Sequence, residues 1–554
     1  MKKSLPVLWI FKRVRRRIPA LLLLVAAKAG TALLGVVFAL GTRNVIDAAT
    51  AADREGFLWA CIVQGSIILG TLLCLTLSRH LSDRLHAVLD RDWKQDILHD
   101  LLRGDYSAVS AYHSGELINR LNNDVRIVND GLVNALPNLA SMLTRLIGAM
   151  AVLISMQPWF ALVVCAAGVL VILTTGYMRK LLKGLHKKVN EKDGIVSAFL
   201  QETLEKLLLV QAMDISGEME RRCDSLLEQR YAMQRKRKNV SLFANTGISI
   251  MSYGAGFIAL LWSSVHLMSG QITFGTLTAI TQLVSQLQAP FASLSGSIPQ
   301  YVAMAASGER LMELERIPAD PEPLREDVSN IYSSLACICA EDLHFSYDRD
   351  PILEGAQFAL PKGAFAAIVG ASGIGKSTLL KLLLGIYRGE KGGLYLCCDG
   401  EKIPIDRRTR KLFSYVPQGN LLFSGTVREN LLVVKPDATE EQIRHAVHIS
   451  AMDEYLPQLP MGLETALGES GAGLSEGQAQ RLAIARAILC DAPILLLDEC
   501  TSALDWQTEK TVLERIRSLT NCTCIAVSHR PATMELCDWQ LELSDHRIEA
   551  KKLS

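Results

Sequence analysis

At 554 residues the chain is too long for one ordinary domain, and two or three folding units are expected. It is 49% hydrophobic and 21% charged, with a mean hydropathy of +0.21: too apolar for most soluble proteins, too charged to lie wholly in lipid, as a membrane half joined to a soluble half would be. The net charge of +1 gives no footing for a nucleic-acid partner, and the 13 cysteines include no C-x-x-C pair with histidines at zinc-finger spacing.

Residues 1–17 place Lys2, Lys3, Lys12, Arg13, Arg15, Arg16 and Arg17 around the apolar run Leu5 to Phe11, which reads as a short helix lying on the cytoplasmic membrane surface. A signal peptide would also begin with such a basic cluster. The apolar run that follows, however, continues past Lys28 to Leu40, longer than a signal core, so a retained first span is expected.

Six stretches have the length and apolarity of membrane spans, near Ile18 to Leu40, Phe57 to Leu77, Leu132 to Met156, Phe160 to Tyr177, Ser241 to Met268 and Phe274 to Met304. The last is interrupted by Gln282, Gln286, Gln288 and Pro290, which suits a helix facing protein or a water-filled path. Three connections are short and would face outward. Residues 78–131 and 178–240 are long, charged and helical in pattern, and their lysines and arginines put them in the cytoplasm as helices prolonged beyond the membrane.

In the first of these connections, Tyr112-His113-Ser114-Gly115-Glu116-Leu117, then Arg120-Leu121 and Asp124-Val125, resembles the first intracellular loop of exporter-type ATP-binding-cassette transporters. The resemblance implies a coupling helix there, touching a nucleotide-binding domain, and a second near Glu202 to Met213. Residues 18–310 are then the transmembrane domain. Pro318, Pro321 and Pro323 break the chain within a linker at 311–335, and a cassette domain occupies 336–554.

In that last part, Gly370-Ala371-Ser372-Gly373-Ile374-Gly375-Lys376-Ser377 is a phosphate-binding loop, preceded by the strand-like Ala364 to Val369 and followed by a helix running from Thr378 to Leu384. Glycines are needed because backbone N–H groups must approach phosphate oxygens closely. Lys376 would sit against the β- and γ-phosphates, and the Ser377 hydroxyl would face a magnesium ion. The resemblance extends through the cassette. It implies that Tyr347 stacks on adenine and that Gln418 reaches magnesium and the attacking water. Ser475, Gly477 and Gln478, in Leu474-Ser475-Glu476-Gly477-Gln478, would hold the γ-phosphate of ATP bound on the opposite subunit; the family's usual middle residue there is glycine, and this chain has Glu476. Ile494 to Glu499 reads as a buried strand ending in two carboxylates, Asp498 matching the magnesium-supporting aspartate and Glu499 the general base. Asp505, in Ser502-Ala503-Leu504-Asp505, matches the loop joining the two sites, and His529, after the strand Thr523 to Val527, matches the γ-phosphate-contacting histidine.

The expected fold is therefore a membrane α-helical domain with six transmembrane helices plus an α/β P-loop NTPase domain: an ATPase half-transporter, multi-pass in the cytoplasmic membrane, using ATP and Mg2+ and paired with a second subunit. Homodimer and heterodimer both stay open. Lys28 and Arg145 are intramembrane cations, which favour a lipid-like, amphipathic or small organic cargo carrying negative charge over a polycation. An importer of a metal chelate, a peptide cargo, and a membrane-anchored ATP-dependent regulator or channel remain as alternatives.

Overall fold

The structure is a computed structural model describing residues 6–321, 328–347, 350–419, 422–468, 471, 473–519 and 522–553. Lys2, Lys3, Leu5 and Pro323 lie outside the described residues. The chain forms two compact units, Met1–Leu102 with His113–Arg316, and Arg103–Tyr112 with Ile317–Ser554.

The first unit is helical. A short helix, α1 (Pro6–Arg13), leads through a tight turn into α2 (Ile18–Thr50) and α3 (Arg54–Arg103). The short α4 (Tyr106–Ser110) belongs to the second unit; α5 (Ser114–Asn119) and α6 (Val125–Asp130) then run into α7 (Leu136–Met156). Next come α8 (Pro158–Glu205), the short α9 (Leu207–Ala212), α10 (Ser216–Met268) and α11 (Phe274–Glu315). Thus each of the six apolar stretches lies on a long helix, and α3 and α10, at 50 and 53 residues, far exceed the length a bilayer needs. Among the described residues, four helical stretches, those containing α2, α3, α7 and α10, are long and apolar enough to cross a membrane, with a shorter apolar part of α8 at Pro158–Leu170. The sixth stretch falls short because α11 carries glutamines and two internal prolines, Pro290 and Pro299.

Small residues let these helices approach: Ala39 of α2, Ala149 of α7, Ala161 of α8 and Ala259 of α10 are all buried around Ile280, Leu283 and Leu287 of α11. At the cytoplasmic end of this unit, ion pairs replace apolar packing. Arg120, 6% exposed, donates to Glu116 at 2.7 Å, to Glu313 at 3.0 Å and to the Arg310 carbonyl at 2.7 Å. Asp124, 1% exposed, accepts from Ser307 at 2.9 Å and from Arg310 Nε at 2.8 Å. The Arg120 and Asp124 of the intracellular-loop motif thus brace the end of α11.

In the second unit, α12 (Val328–Ser333) precedes an antiparallel sheet in the order β2-β1-β4-β5, formed by β1 (Leu335–Tyr347), β2 (Asp350–Pro361), β4 (Lys391–Cys398) and β5 (Glu401–Pro404). The central sheet runs β12-β11-β3-β10-β9-β6, with β3 (Phe365–Val369), β6 (Phe413–Val416), β9 (Ile494–Asp498), β10 (Thr523–Val527), β11 (Trp539–Ser544) and β12 (Arg547–Lys552). Its interior is parallel, and β9 and β10 are buried at every residue, as strands covered on both faces must be. A two-stranded ribbon, β7 (Gly425–Thr426) and β8 (Ala466–Leu467), completes the strands. The helices are α13 (Lys376–Leu383), α14 (Val427–Leu432), α15 (Glu440–Ile449), α16 (Glu476–Leu489), α17 (Trp506–Arg517) and α18 (Pro531–Leu536). All thirteen cysteines are free.

The piece Arg103–Tyr112 joins this unit through a backbone bridge between Gly104 and Ala319, and through Asp105 N–H donating to the Pro318 carbonyl at 2.8 Å. Asp105 also caps α4, accepting from Ala108 N at 3.2 Å. Tyr106 of α4 meets Tyr387 edge-on at 5.8 Å. The short helix of the first connection therefore lies a turn or two before the Tyr112 motif, while α9 falls within the Glu202 to Met213 stretch.

Candidate functional site: the nucleotide loop and its carboxylates

The phosphate loop follows β3 and opens α13, a strand-to-helix turn that aims the helix N-terminus and its free N–H groups at one point. Gly370, Gly373 and Gly375 have φ of +153°, +80° and +110°. A Cβ on Gly375 would lie 2.3 Å from Ile352 Cγ2, and one on Gly370 would lie 2.6 Å from the Leu543 carbonyl oxygen. At Gly370 and Gly375 a side chain is therefore opposed by both backbone conformation and space, and at Gly373 by backbone conformation alone. Lys376 is buried, its ammonium donating to the Gly370 and Ala371 carbonyls at 2.9 Å each, so the cation is held on the loop itself. Ser372 is exposed on the loop.

Ser377 Oγ donates to Asp498 Oδ1 at 2.9 Å, and Tyr415 donates to Asp498 Oδ2 at 3.1 Å. Asp498 is 1% exposed, and burial pushes its carboxyl above the usual range against the opposing pull of these two donors. Burial and the Asp498 charge push the Tyr415 phenol up in turn. The next residue, Glu499, stands where β9 stops, with φ +47°. A left-handed backbone at a non-glycine residue costs about 1–3 kcal/mol and is retained where the surroundings enforce it. Here its N–H donates to the Val527 carbonyl at 3.2 Å and its carboxylate accepts from Gln418 Nε2 at 2.7 Å. One cluster thus contains the loop serine, both strand-end carboxylates and the glutamine.

Tyr347 ends β1, its hydroxyl 3.3 Å from Thr378 Oγ1 and its ring edge-on to Tyr387 at 5.5 Å. An aromatic group therefore stands beside the loop and is 39% exposed on its free side.

Three further predicted elements make no hydrogen bond to this cluster among the described residues. Ser475 caps α16 by accepting from Gln478 N at 3.3 Å, while Gln478 Oε1 accepts from Ser475 N at 2.9 Å, a reciprocal capping box. Gly477 lies against the Ala503 carbonyl, which a Cβ would reach at 3.1 Å. Asp505 caps α17 through Thr508, whose side-chain and backbone hydrogen bonds hold its carboxyl below the usual range. His529 is exposed at the end of β10 and has no hydrogen bond or ion pair among the described residues. Glu469 and Ser470, before the signature, lie outside the described residues.

The structure adds positioning residues that the motifs did not mark. Gln480 donates to Ser502 Oγ and accepts from Ala503 N, both at 3.0 Å, tying the signature helix to the loop before Asp505. Arg530 grips the same loop, donating to the Leu504 carbonyl at 2.7 Å and to the Ser502 carbonyl, and pairs with the fully buried Glu509 at 2.9 Å. Tyr415 could have been suspected from its place before Pro417-Gln418; Glu509 gave no signal beyond an acidic residue on a helix.

The ABC transporter transmembrane region matches residues 18–291, and the ABC transporter cassette matches residues 353–502. An ATP-dependent lipid A-core flippase of Vibrio parahaemolyticus is 30% identical over 442 residues, covering 78% of this chain and 75% of that protein. The chain belongs to the ATP-binding cassette (ABC) transporters. A multidrug efflux ATP-binding/permease protein of Mycobacterium tuberculosis is 29% identical over 551 residues, 97% of this chain, which spans 45% of that longer protein. In fold, this ABC transporter matches a bacterial Atm1-family ABC exporter with ATP bound, with a TM-score of 0.79 and 24% identity over 97% of this chain and 95% of that one. With one transmembrane region and one cassette fused, the chain is a half-transporter of exporter architecture; such halves act as pairs, and ATP hydrolysis coupled to transport is the activity of the family. It is an integral membrane protein with its cassette on the cytoplasmic side.

Proposed function

We propose that two copies of this half-transporter form a homodimer that hydrolyses ATP with Mg2+ and exports an amphipathic, anion-bearing, lipid-like or small organic cargo. The observation that carries the reading is the joined pair of contacts Ser377–Asp498 and Gln418–Glu499, at 2.9 and 2.7 Å, a complete set of nucleotide-handling groups in one chain. Asp498 is buried, with hydroxyl donors and no ion pair among the described residues, and that oxygen-rich donor set suits a hard divalent cation. Bound beside Ser377, Asp498 and Gln418, magnesium would neutralise phosphate charge. The chain's own residues do the rest. Glycine N–H groups and Lys376 hold the phosphates, Tyr347 takes the base, and Glu499 accepts the proton of the attacking water. Gln418 holds the Glu499 carboxylate in place, and His529 is free to meet the γ-phosphate. Ser475, Gly477 and Gln478 offer a helix N-terminus to the ATP of the second subunit, and Asp505 stands at the junction of the two sites.

The cargo preference rests on the membrane cations. Lys28 donates to Asn138 Oδ1 at 2.8 Å, a neutral partner, and has no ion pair among the described residues. Arg145 has a buried Nε without a partner and no ion pair among the described residues. The names of the flippase and efflux relatives agree with a lipid-like or drug-like cargo.

The test is ATPase activity of the chain purified alone in lipid nanodiscs, beside Glu499→Gln. Activity that falls at least ~100-fold on substitution is expected; activity that survives would overturn the general-base assignment, and an inactive wild-type chain would overturn the homodimer. Lys28→Glu and Arg145→Glu should abolish stimulation by anionic amphiphiles, and unchanged stimulation would refute the cargo preference.

A further inference from the structure

The basic cluster near the N-terminus builds more than a surface patch. Helix α1 is docked by its inner face: Ile10 is fully buried, close enough to α11 that a Cβ on Gly308 would lie 2.6 Å from it, and Trp9 packs on Trp93 of α3 with ring centroids 5.4 Å apart. Arg13 stacks over both tryptophans and is anchored by Asp100 at 3.0 Å, Glu315 at 2.9 Å and Asp96 at 3.6 Å. With α1 fixed there, a cleft of about 570 Å³ opens between the α1–α2 turn and α3, lined by Lys12, Arg13, Arg15, Arg16, Arg17 and Arg91.

The charges in this cleft do not cancel. Arg13 is met by its three acids, and Arg17 and Arg91 share Asp92 at 2.9 and 3.0 Å. Lys12, Arg15 and Arg16 are exposed and have no acidic partner among the described residues, although Asp92 and Asp96 also line the cleft. The position is as telling as the charge. Helix α2 begins at Ile18, and Leu22, one turn on, is 63% exposed, while Leu8 on the outer face of α1 is 67% exposed. Apolar side chains facing outward on both sides put the Arg15–Arg17 turn at the depth of lipid headgroups on the cytoplasmic side. Three unpaired cations at a headgroup-level cleft are matched by phosphate oxygens.

We infer that this cleft binds a phosphate-bearing anion, namely the headgroup of an anionic phospholipid of the cytoplasmic leaflet. A bound headgroup lies beside the Trp9–Trp93–Arg13 stack, which holds α1 to the cytoplasmic ends of α3 and α11, so occupancy stiffens the brace.

The experiment compares the full chain with Arg15→Gln/Arg16→Gln, two exposed positions whose substitution breaks no ion pair, and with Arg235→Gln/Lys236→Gln on α10, which removes equal charge from another exposed cytoplasmic face. Retention of phosphatidylglycerol and phosphatidylcholine is measured by native mass spectrometry, with tryptophan emission as a second readout. Wild type should retain phosphatidylglycerol selectively, and Arg15→Gln/Arg16→Gln should weaken that binding about thirtyfold, at roughly one order of ten per 1.4 kcal/mol and about 1 kcal/mol per cation. The α10 control should change it less than about threefold. Equal losses in both variants, or none in the first, would overturn the inference. Displacement of the lipid by millimolar inorganic phosphate would assign the cleft to free phosphate and overturn the headgroup assignment.

Discussion

Glu509→Gln tests whether a residue remote from the nucleotide loop governs turnover. Glu509 is fully buried on α17. One carboxylate oxygen accepts from Thr501 at 2.9 Å and Thr533 at 3.3 Å, and the other pairs with Arg530 at 2.9 Å. Arg530 in turn holds the Ser502 and Leu504 carbonyls and is the immediate neighbour of His529. Glutamine keeps the shape and an acceptor for the threonines but removes the charge. A hydrogen bond to a charged group contributes about 1.5–3 kcal/mol. The Arg530 side chain is 37% exposed, so screening moves the expectation to the lower end, about 1.5 kcal/mol. For a unit of the cassette's size that corresponds to a melting shift of roughly 3–6 °C. Because the lost grip is on the Ser502–Leu504 loop and beside His529, kcat should fall about tenfold while the KM for ATP, which depends on the Gly370–Ser377 loop that neither Glu509 nor Arg530 bonds, stays within about twofold. Nanodisc ATPase kinetics with a double-mutant cycle against Arg530→Met separate the pair from its surroundings. A lowered melting temperature with unchanged kcat would refute the positioning role and leave a structural ion pair.

Three further outcomes follow from the same geometry. Gly375→Ala should abolish ATP binding, read by a fluorescent nucleotide analogue, and Ile352→Ala should not restore it, because the φ of +110° remains after the 2.3 Å clash is relieved; restoration would show the clash alone decides. Burial pushes the Cys500 thiol up from 9.0 to about 12, so the folded state holds this proton more tightly than the unfolded chain; stability contributed by Cys500 is intact below pH 9 and is lost between pH 9 and about 12, at about 1.4 kcal/mol per pH unit. Denaturant melts across that range should show a shallower alkaline loss for Cys500→Ala, and parallel curves would refute it. Glu476→Gly should cost the α16 N-terminus about 1 kcal/mol and raise ATP turnover at low ionic strength, with the gain shrinking as salt screens the carboxylate; unchanged turnover at low salt would show that Glu476 stays clear of phosphate.

What could be read from residues alone is what depends on the path of the backbone. The phosphate loop demands positive φ at Gly373 and Gly375, and only a glycine-rich string supplies it. The Ile494–Asp498 strand reads as buried because no residue in it before the carboxylate is polar, and it is buried throughout. What escaped depends on partners far apart in sequence. Glu509 meets Arg530 across 21 positions, and Arg120 meets Glu313 across 193. No local pattern encodes either, because an isolated acidic residue on a helix looks the same whether it faces water or a buried arginine. The short helix of the first connection was legible in kind but not in position, since Tyr106–Ser110 is fixed by its Asp105 cap and by Tyr387, while the motif at Tyr112–Leu117 belongs to the helix after it.

The two intracellular connections meet the same demand in opposite ways. The first commits its apolar residue within the chain: Tyr106 rests on Tyr387, which also meets Tyr347 beside the nucleotide loop, so a displacement of α4 bears on the Tyr347 ring. The second leaves its apolar residues bare, with Leu208 83% exposed and Met213 63% exposed on and beside α9. Large apolar side chains clustered on a short cytoplasmic helix are costly to leave in water, about 1.5–3 kcal/mol for each that could be buried. The N-terminus of the signature helix is likewise closed only from within, by the Ser475 cap and by Glu476 in its first turn, with no ion pair at Glu476 among the described residues. We infer that the second subunit of the pair supplies both a surface for the apolar helix and a phosphate for the helix terminus, which would place the stability of the pair and its ATP chemistry on the same contacts.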